Sequence, residues 1–220
     1  MSTPNPCRGL KTALQIAVLG AALSLVLGGC ATLPQAEQPA PDQAQAATEF
    51  ALRAAKVRAI VDWQAQGRMA IRTADRAGSV TFDWQQRGID TQLILNAPLN
   101  QGTLTLRGTP DRMLIEDSQG QRRLTQQPDR TLTQLTGWHI PVQALPDWLR
   151  ALPHARNAQQ EFNAQGQLIR LKDEGWTLHY ADYRPAFPGG VPMPHEMTAA
   201  QPDISLRLII DQWQTLPAQP

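Results

Sequence analysis

Residues 79–84 read Ser79-Val80-Thr81-Phe82-Asp83-Trp84, with an apolar side chain at every second position. Successive side chains of an extended strand point to opposite faces, so this pattern gives one apolar face and one polar face. The stretch therefore predicts a half-buried β-strand. The same period continues on both sides, where Met69 and Ile71 alternate with arginines and Leu104 and Leu106 alternate with threonines.

Turn signals separate these alternating runs. They are Arg87-Gly88, Gly108-Thr109-Pro110-Asp111 and Ser118-Gln119-Gly120, which combine glycine with other residues that favour turns. Short alternating runs joined in this way pair as antiparallel hairpins. We therefore predict six strands between Trp63 and Thr125.

The period of two gives way to a helical spacing over residues 128–152, where apolar residues recur about three or four positions apart. Pro128-Asp129 can begin a helix and Gly137 can end it. We predict two short helices joined by a bend. Pro146 fits the second helix only within its first turn, because proline lacks the N–H that later positions require.

Strands are predicted to resume after Pro153. A run of strands interrupted once by a helical pair predicts a mainly β domain, in which the helices cover the concave face of a curved antiparallel sheet. The total is about eleven strands, because alternation and turn residues place five more at residues 160–163, 168–172, 176–182, 193–199 and 204–213.

The amino-terminal residues have the layout of a signal peptide. Arg8 and Lys11 precede an apolar run, which leads through small residues to a cysteine in Leu27-Gly28-Gly29-Cys30. The alternative is a short membrane anchor, but the run is shorter than the roughly 20 residues that a spanning helix needs. We predict that residues 1–29 are removed and that Cys30 receives diacylglycerol and an N-acyl group such as palmitate.

Residues 31–48 consist mainly of Ala, Gln and Pro, so they bury too little surface to offset the entropy of ordering. With Cys30 they predict a lipidated, flexible tether over residues 30–48. Apolar residues then recur at helical spacings, which predicts one amphipathic helix ending near Val61. A single folded domain is predicted over residues 49–220.

The charge of the mature chain excludes several partners. Loss of residues 1–29 removes two of the 20 Lys and Arg residues and leaves all 19 Asp and Glu residues, a net charge of −1. The basic residues are scattered, so we expect no nucleic-acid binding. Cys7 leaves with the signal peptide and Cys30 is acylated, so no disulfide is expected.

No pattern in the sequence predicts catalysis. None of the five serines lies in a G-x-S-x-G turn, and Ser79 and Ser205 occupy outward strand positions. The four histidines have no metal-ligand spacing. Two acidic pairs, Asp173-Glu174 and Glu116-Asp117, fall at a turn and at a strand end. We expect neither enzymatic activity nor a bound metal or cofactor.

Four motifs resemble one known family. They are Asn96-Ala97-Pro98-Leu99-Asn100-Gln101-Gly102, Leu135-Thr136-Gly137-Trp138-His139-Ile140-Pro141-Val142, Trp148-Leu149-Arg150-Ala151-Leu152-Pro153 and Ile210-Asp211-Gln212-Trp213. Together with Cys30, their order and spacing are similar to the outer-membrane lipoprotein receptor family, LolB, over residues 63–213. The resemblance implies an eleven-stranded, incompletely closed barrel with a helical lid and an apolar cavity for lipoprotein acyl chains. Pro146 departs from the family, which more often has a helix-compatible residue there.

The resemblance also implies a function. In the family, a soluble periplasmic carrier, LolA, hands acylated lipoproteins to LolB, which inserts them into the outer membrane without a nucleotide. We therefore expect a monomeric receptor, lipid-anchored in the outer membrane of a Gram-negative bacterium and facing the periplasm. Ala31 agrees with this location, because Asp after the lipidated cysteine holds lipoproteins back. Cys30 separates the receptor from the carrier, which shares the fold.

Two other functions stay open on the sequence. One is a structural or assembly lipoprotein of the outer membrane whose half-barrel packs an ordinary core. The other is a lipid-modifying enzyme, which the lack of a nucleophile motif disfavours. Binding of acyl chains separates the receptor from the structural protein, and turnover of a lipid ester would identify the enzyme.

The resemblance assigns two kinds of site residue. Pro98, Leu99 and Asn100 form a loop whose leucine is implicated in delivery to the membrane; the alternative is a leucine folded back onto the barrel rim. The second kind lines the acyl cavity, although large apolar residues at such spacings are usually core. These candidates are Met69, Ile71, Phe82, Trp84, Leu93, Leu95, Leu104, Leu106, Leu132, Leu135, Trp138, Ile140, Leu145, Trp148, Leu149, Trp176, Leu178 and Leu208.

Overall fold

The computed structural model describes residues 42–100, 102–136 and 141–217. Their eleven strands form one antiparallel sheet in the order β6-β5-β4-β3-β2-β1-β11-β10-β9-β8-β7. The predicted mainly β architecture of six strands followed by five is confirmed. The strands are β1 Asp62–Thr73, β2 Ala77–Arg87, β3 Asp90–Asn96, β4 Thr103–Thr109, β5 Arg112–Glu116, β6 Arg122–Thr125, β7 Gln159–Phe162, β8 Leu168–Asp173, β9 Trp176–Pro185, β10 Pro192–Gln201 and β11 Ile204–Thr215.

Two runs of hairpins make up the sheet. Strands β1 to β6 follow one another, as do β7 to β11, and the two runs join where β1 pairs with β11. In the described part of the chain, no pairing connects the edge strands β6 and β7, so the barrel is incompletely closed. The predicted signal peptide, most of the predicted tether and residues 137–140 of the predicted lid lie outside the described residues.

Alternation places the apolar residues of neighbouring strands on one face of the sheet. The register pairs Trp84 with Leu93, and Leu93 with Leu106, and all three side chains are buried. Thr81 and Arg107, which have the opposite parity in their strands, are exposed. Directly opposed apolar pairs are the unit of sheet stabilisation, so the inner face is continuous across these strands.

A bulge in β11 lies opposite Gly67 of β1, with Asp211 as the extra residue. The register with β11 shifts between Gln66 and Gly67. A Cβ added to Gly67 would lie 2.1 Å from the carbonyl oxygen of Ile209, so only glycine permits this approach of the two backbones. Bulges bend the strand that carries them, and this one contributes to the curvature of the sheet.

Helix α1 spans Gln43–Arg58 and begins earlier than predicted. Asp42 caps it, because its Oδ1 accepts a hydrogen bond from the Ala44 N–H at 2.9 Å. Residues 43–48, which the composition assigned to the tether, are therefore the first turns of α1. Alanine is the best helix former, and Ala46 is buried at this end of the helix.

The carboxyl end of α1 also differs from the prediction. The helix ends at Arg58 rather than near Val61, because Asp62 already begins β1. The ring of Phe50 in α1 lies 4.8 Å from the ring of Phe162 in β7. Helix α1 therefore packs beside the edge strand β7.

Two short helices follow β6, as predicted. Helix α2 spans Pro128–Thr136 and helix α3 spans Leu145–Leu149. Pro146 lies in the first turn of α3, where a missing N–H is tolerated. Both helices bury apolar side chains, since Leu132 of α2 and Trp148 of α3 are almost fully covered.

Candidate functional site

The inner face of the sheet and the two short helices enclose a cavity of about 460 Å³. Strands β1 to β4 and β9 to β11 supply most of its wall, and α2 and α3 supply much of the rest. The cavity brings together most of the residues that were predicted to line one. They are Met69, Ile71, Phe82, Trp84, Leu93, Leu95, Leu104, Leu106, Leu132, Leu145, Trp148, Leu149, Trp176 and Leu208.

Two of the predicted lining residues, Leu135 and Leu178, are not brought to the wall. Leu178 is fully buried between Leu171 of β8 and Ala199 of β10, and it packs in the core rather than at the wall. Leu135 is 45 % exposed, because it lies in the last turn of α2, past the residues that the sheet covers. Trp138 and Ile140 lie outside the described residues.

Part of the apolar wall was not predicted from the sequence. The register shows why these residues belong to it, since Ile71 pairs with Leu206 and Met69 pairs with Leu208. Leu206 could have been found from its spacing of two from Leu208. The missed apolar residues are Val80, Ala97, Met197, Ala199, Ile204 and Leu206.

One end of the cavity is polar. Among the described residues of the wall, the polar ones are Thr103, Asp117 and Ser118. Thr103 begins β4, and the other two form the turn after β5, beside the loop that joins β3 and β4. We call this loop and this turn the rim. Elsewhere the wall is apolar, which favours a hydrocarbon chain over water.

At the opposite end, Trp84 of the wall packs in a cluster with two further tryptophans that do not themselves line the cavity. The ring of Trp63 lies 5.8 Å from the ring of Trp84 and 5.6 Å from the ring of Trp213, both in tilted arrangements. The register places Trp63 beside Gln86, at the end of β2 remote from the rim. We call Trp63, Trp84 and Trp213 the tryptophan base.

Two arginines fasten α1 to α3. Arg53 of α1 donates hydrogen bonds to the carbonyl oxygens of Arg150 and Ala151 at 3.2 and 3.4 Å. Arg150 donates in return to the carbonyl oxygens of Val57 and Ile60 at 3.4 and 3.2 Å. The last carbonyls of a helix have no intrahelical partner, so each arginine satisfies carbonyls at the end of the other helix. We call this arrangement the arginine clasp.

Burial shifts the pKa values of the two arginines of the clasp without removing their charge. Desolvation lowers the pKa of Arg53 and of Arg150 below the ordinary arginine value, and the Asp147 carboxylate partly restores that of Arg150. Arginine remains charged in proteins at neutral pH. The Arg150 guanidinium also lies 5.6 Å from the ring centre of Trp63, so the clasp touches the tryptophan base.

Asp173 holds α3 to the sheet. Its Oδ2 accepts a hydrogen bond from the Trp148 ring N–H at 2.9 Å and from the His154 backbone N–H at 2.7 Å. Its neighbour Glu174 is exposed in the turn after β8. The acidic pair is thus split between a buried structural carboxylate and a solvated one, and it forms no acid–base site.

Two of the described histidines, His195 and His154, make local hydrogen bonds. The Nδ1 of buried His195 donates to the Ile210 carbonyl oxygen at 2.7 Å, and His154 Nδ1 lies 3.1 Å from Asp147 Oδ2. His179 is exposed on β9, and His139 lies outside the described residues. No cluster of three or more His, Cys, Asp or Glu side chains suited to a metal ion occurs within the described ranges.

Leu99 stands at the tip of the loop between β3 and β4. The loop forms a short 3₁₀ turn, Pro98–Asn100, in which Leu99 has φ 57° and ψ 32°. This left-handed conformation costs an ordinary residue about 1 to 2 kcal/mol. The side chain is 91 % exposed, so it does not fold back onto the rim.

In the described part of the chain, no helix has the length and apolar character needed to cross a bilayer.

Two solved structures share this fold. A DUF1329 family protein from Desulfovibrio piger aligns with a TM-score of 0.52 and 11 % identity, covering 81 % of this chain and 95 % of that one. A LolA superfamily protein from Nitrosomonas europaea aligns with a TM-score of 0.51 and 10 % identity, covering 79 % and 94 %. At such identities the likeness concerns the fold alone.

The sequence relatives identify the family more specifically than the shared fold does. The family model described as outer membrane lipoprotein LolB matches residues 61–213. Outer-membrane lipoprotein LolB of Alkalilimnicola ehrlichii is 35 % identical over 196 residues, covering 88 % of this chain and 94 % of the relative. The LolB protein of Chromohalobacter salexigens is 28 % identical and covers 98 % and 97 %. The apolar half-barrel and these matches together establish that the chain belongs to the outer-membrane lipoprotein LolB family.

Proposed function

We propose that the protein accepts acylated lipoproteins from the periplasmic carrier LolA and inserts them into the outer membrane. By family it is an outer-membrane lipoprotein. The apolar cavity of about 460 Å³ carries the proposal. A structural lipoprotein would fill this space with side chains, because protein interiors are close-packed and seldom keep voids larger than a water molecule.

The cavity can keep the acyl chains of a lipoprotein out of water while the lipoprotein moves between membranes. Each exposed methylene costs about 0.8 kcal/mol, so acyl chains must remain covered between the two membranes. Phe82, Leu93 and Leu106 lie in the wall and offer the chains an apolar surface. The bilayer offers a still more favourable one, so transfer runs downhill and requires no nucleotide, metal or other cofactor.

The amino-terminal anchor keeps the receptor at its target. Residues 1–29 act as the signal peptide, and Cys30 becomes the acylated first residue of the mature chain. The tether reaches to Asp42, where α1 begins, and the folded domain follows as a single unit. The receptor is held in this way at the periplasmic face of the outer membrane, as a monomer.

The exposed Leu99 is the point of contact with the outer-membrane lipids. Entry of one leucine side chain into the acyl boundary is worth about 1.5 to 3 kcal/mol. Its exposure of 91 % supports this role, since the side chain is not buried in the core. Pro98 and Asn100 frame the leucine within the same short turn.

Lipoprotein transport, rather than catalysis, is the function that the cavity favours. Among the wall residues that the structure describes, there is one serine, Ser118, and no histidine. A lipid-modifying enzyme would need a base within hydrogen-bond reach of its nucleophile.

Transfer from a loaded carrier tests the proposal. Full-length protein is reconstituted in liposomes, and LolA carrying a triacylated lipoprotein is added without ATP. We expect cargo to appear in the floated liposome fraction only when the protein is present. Cargo that stays on LolA, or that moves equally well into protein-free liposomes, would contradict the proposed function.

A further inference from the structure

The polar end of the cavity continues into an open groove on the surface. The cavity and the groove share the residues at their junction, among them Gly102, Thr103, Asp117 and Ser118. Any amphiphile whose chains occupy the apolar part must place its polar head where the wall becomes polar. The described wall offers one such place, which is this junction.

The groove exists because β4 is longer than its partner β5. Their pairing stops at Thr105 and Glu116, while β4 extends back to Thr103, where it still pairs with β3. The chain leaves the sheet at Asp117, whose Oδ1 accepts hydrogen bonds from two backbone N–H groups of the turn at 2.9 and 3.0 Å. Beyond Glu116, β4 therefore has no neighbouring strand on that side.

Several polar groups of the groove have unused hydrogen-bonding capacity. The hydroxyls of Thr105 and Ser118 make no hydrogen bond with any described residue, and Asp117 Oδ2 accepts none from the described chain. Ser118 lies against Gly102, where an added Cβ would be 3.1 Å from its Oγ. The groove therefore presents two hydroxyl donors and one free carboxylate oxygen to a ligand.

We propose that this groove binds the polar head of the lipoprotein cargo, its acylated cysteine with the glycerol esters and the first peptide units. The inference rests on the proposed function and deepens it. Ester and amide carbonyls accept hydrogen bonds from Thr105 and Ser118, and the cargo's amide N–H groups donate to Asp117. The acyl chains then extend from the junction toward the tryptophan base.

This orientation gives the groove a part in delivery. The loop that carries Leu99 joins β3 to β4 directly beside the groove, so the polar head lies next to the residue proposed to enter the membrane. Cargo held in this way leaves head-outward at the bilayer interface, where lipid headgroups and water replace the groove's hydrogen bonds. The groove thus fixes the direction in which the cargo is handed over.

Photo-crosslinking of the full-length protein tests the orientation. The protein is anchored in vesicles of phosphatidylethanolamine and phosphatidylglycerol and mixed with a synthetic triacylated lipopeptide. One probe carries a diazirine at an acyl terminus, and a second carries it on the residue after the acylated cysteine. We expect the chain probe to label the wall near Trp84 and the head probe to label residues 102–121.

The two probes separate failure of the inference from failure of the proposed function. If the chain probe labels no wall residue, the protein does not bind acyl chains and the proposed function fails. If the chain probe labels the wall but the head probe labels residues elsewhere, only the orientation is wrong. Labelling of the groove by a diazirine-bearing phospholipid in place of the lipopeptide head would also overturn it.

A pair of variants tests the hydrogen bonds themselves. Thr105→Val with Ser118→Ala removes both hydroxyls with little change of shape, and we expect labelling by the head probe to fall about fivefold while labelling by the chain probe persists. Ser79→Ala with Ser205→Ala removes two exposed hydroxyls from the outer faces of β2 and β11 and should change neither. Equal labelling by both double variants would overturn the assignment of the groove.

Discussion

The tryptophan base and the rim differ in how they use apolar residues. At the base, Trp63 is 2 % exposed, stacks on two further tryptophans and lies beneath Arg150. At the rim, Leu99 is 91 % exposed and lies in a left-handed conformation. Tight aromatic packing therefore lies at one end of the cavity and the leucine proposed to contact the membrane lies at the other, so we expect that the two can be altered separately.

The largest expected effect on stability is at the base. Trp63→Ala would leave a void where three aromatic rings meet, and we expect the free energy of unfolding to fall by about 3 to 5 kcal/mol. Chemical denaturation followed by circular dichroism measures this. Leu99→Ala is the matched control at the rim and should change stability by less than about 0.5 kcal/mol. Similar losses in the two variants would remove the contrast between the ends.

The arginine clasp is expected to be second in size. Arg53→Met keeps an apolar stem but removes the donors to the Arg150 and Ala151 carbonyls, so we expect a loss of about 1 to 3 kcal/mol. Arg68, which forms an exposed pair with Asp211 at 2.9 Å, provides the control. Arg68→Met should lose much less stability than Arg53→Met, because exposed ion pairs contribute little. Thermal unfolding of both variants checks the order, and a reversed order would mean that the clasp does not fix α3.

A charge inside the cavity should separate binding from stability. Met69 faces the cavity and is half-buried, whereas Ala70 is exposed on the outer face of β1. We expect Met69→Glu to weaken acyl-chain binding at least tenfold, because a carboxylate is poorly solvated beside hydrocarbon, while stability falls by about 1 kcal/mol. Binding of a fluorescent fatty acid measures the effect. Ala70→Glu should bind normally, and equal binding by the two would place the chains elsewhere.

The rim variant Leu99→Glu should be nearly silent for folding. The side chain touches little of the fold, so we expect a change of less than about 0.5 kcal/mol in stability and normal acceptance of cargo from LolA. Release into liposomes should nevertheless stop, because a carboxylate opposes entry into the acyl boundary. Cargo would then accumulate on the protein in a flotation assay. Equal insertion by this variant and the unmodified protein would exclude a membrane role for the loop.

The smallest effect on the fold is expected at the anchor. Cys30→Ala should leave the unfolding transition unchanged, since Cys30 precedes α1 and the sheet, but the protein should become soluble in the periplasm. Fractionation of cells on a density gradient checks this, with the unmodified protein found in the outer-membrane fraction. Loss of folding in the variant would show that the anchor and tether are part of the domain.

Much of the wall could be predicted, because the alternation of apolar and polar residues shows which face of a strand each side chain occupies. Phe82, Trp84, Leu104 and Leu106 alternate with polar residues, and each contributes to the cavity wall. Leu178 has the same alternation and lies in the core instead. Parity states which face a side chain occupies, but not whether that face meets other side chains or an empty space.

The number and order of the strands and the helical pair could be predicted from the sequence, because hydrophobic period and turn residues act locally, and the family could be predicted from its motifs. The contacts between strands that are far apart in the chain became visible only in the folded structure. The pairing of β1 with β11, the Arg53 and Arg150 clasp, and the groove beyond Glu116 all depend on it. Each joins segments whose contact is set by sheet register and by the packing of helix ends, and no local pattern encodes either.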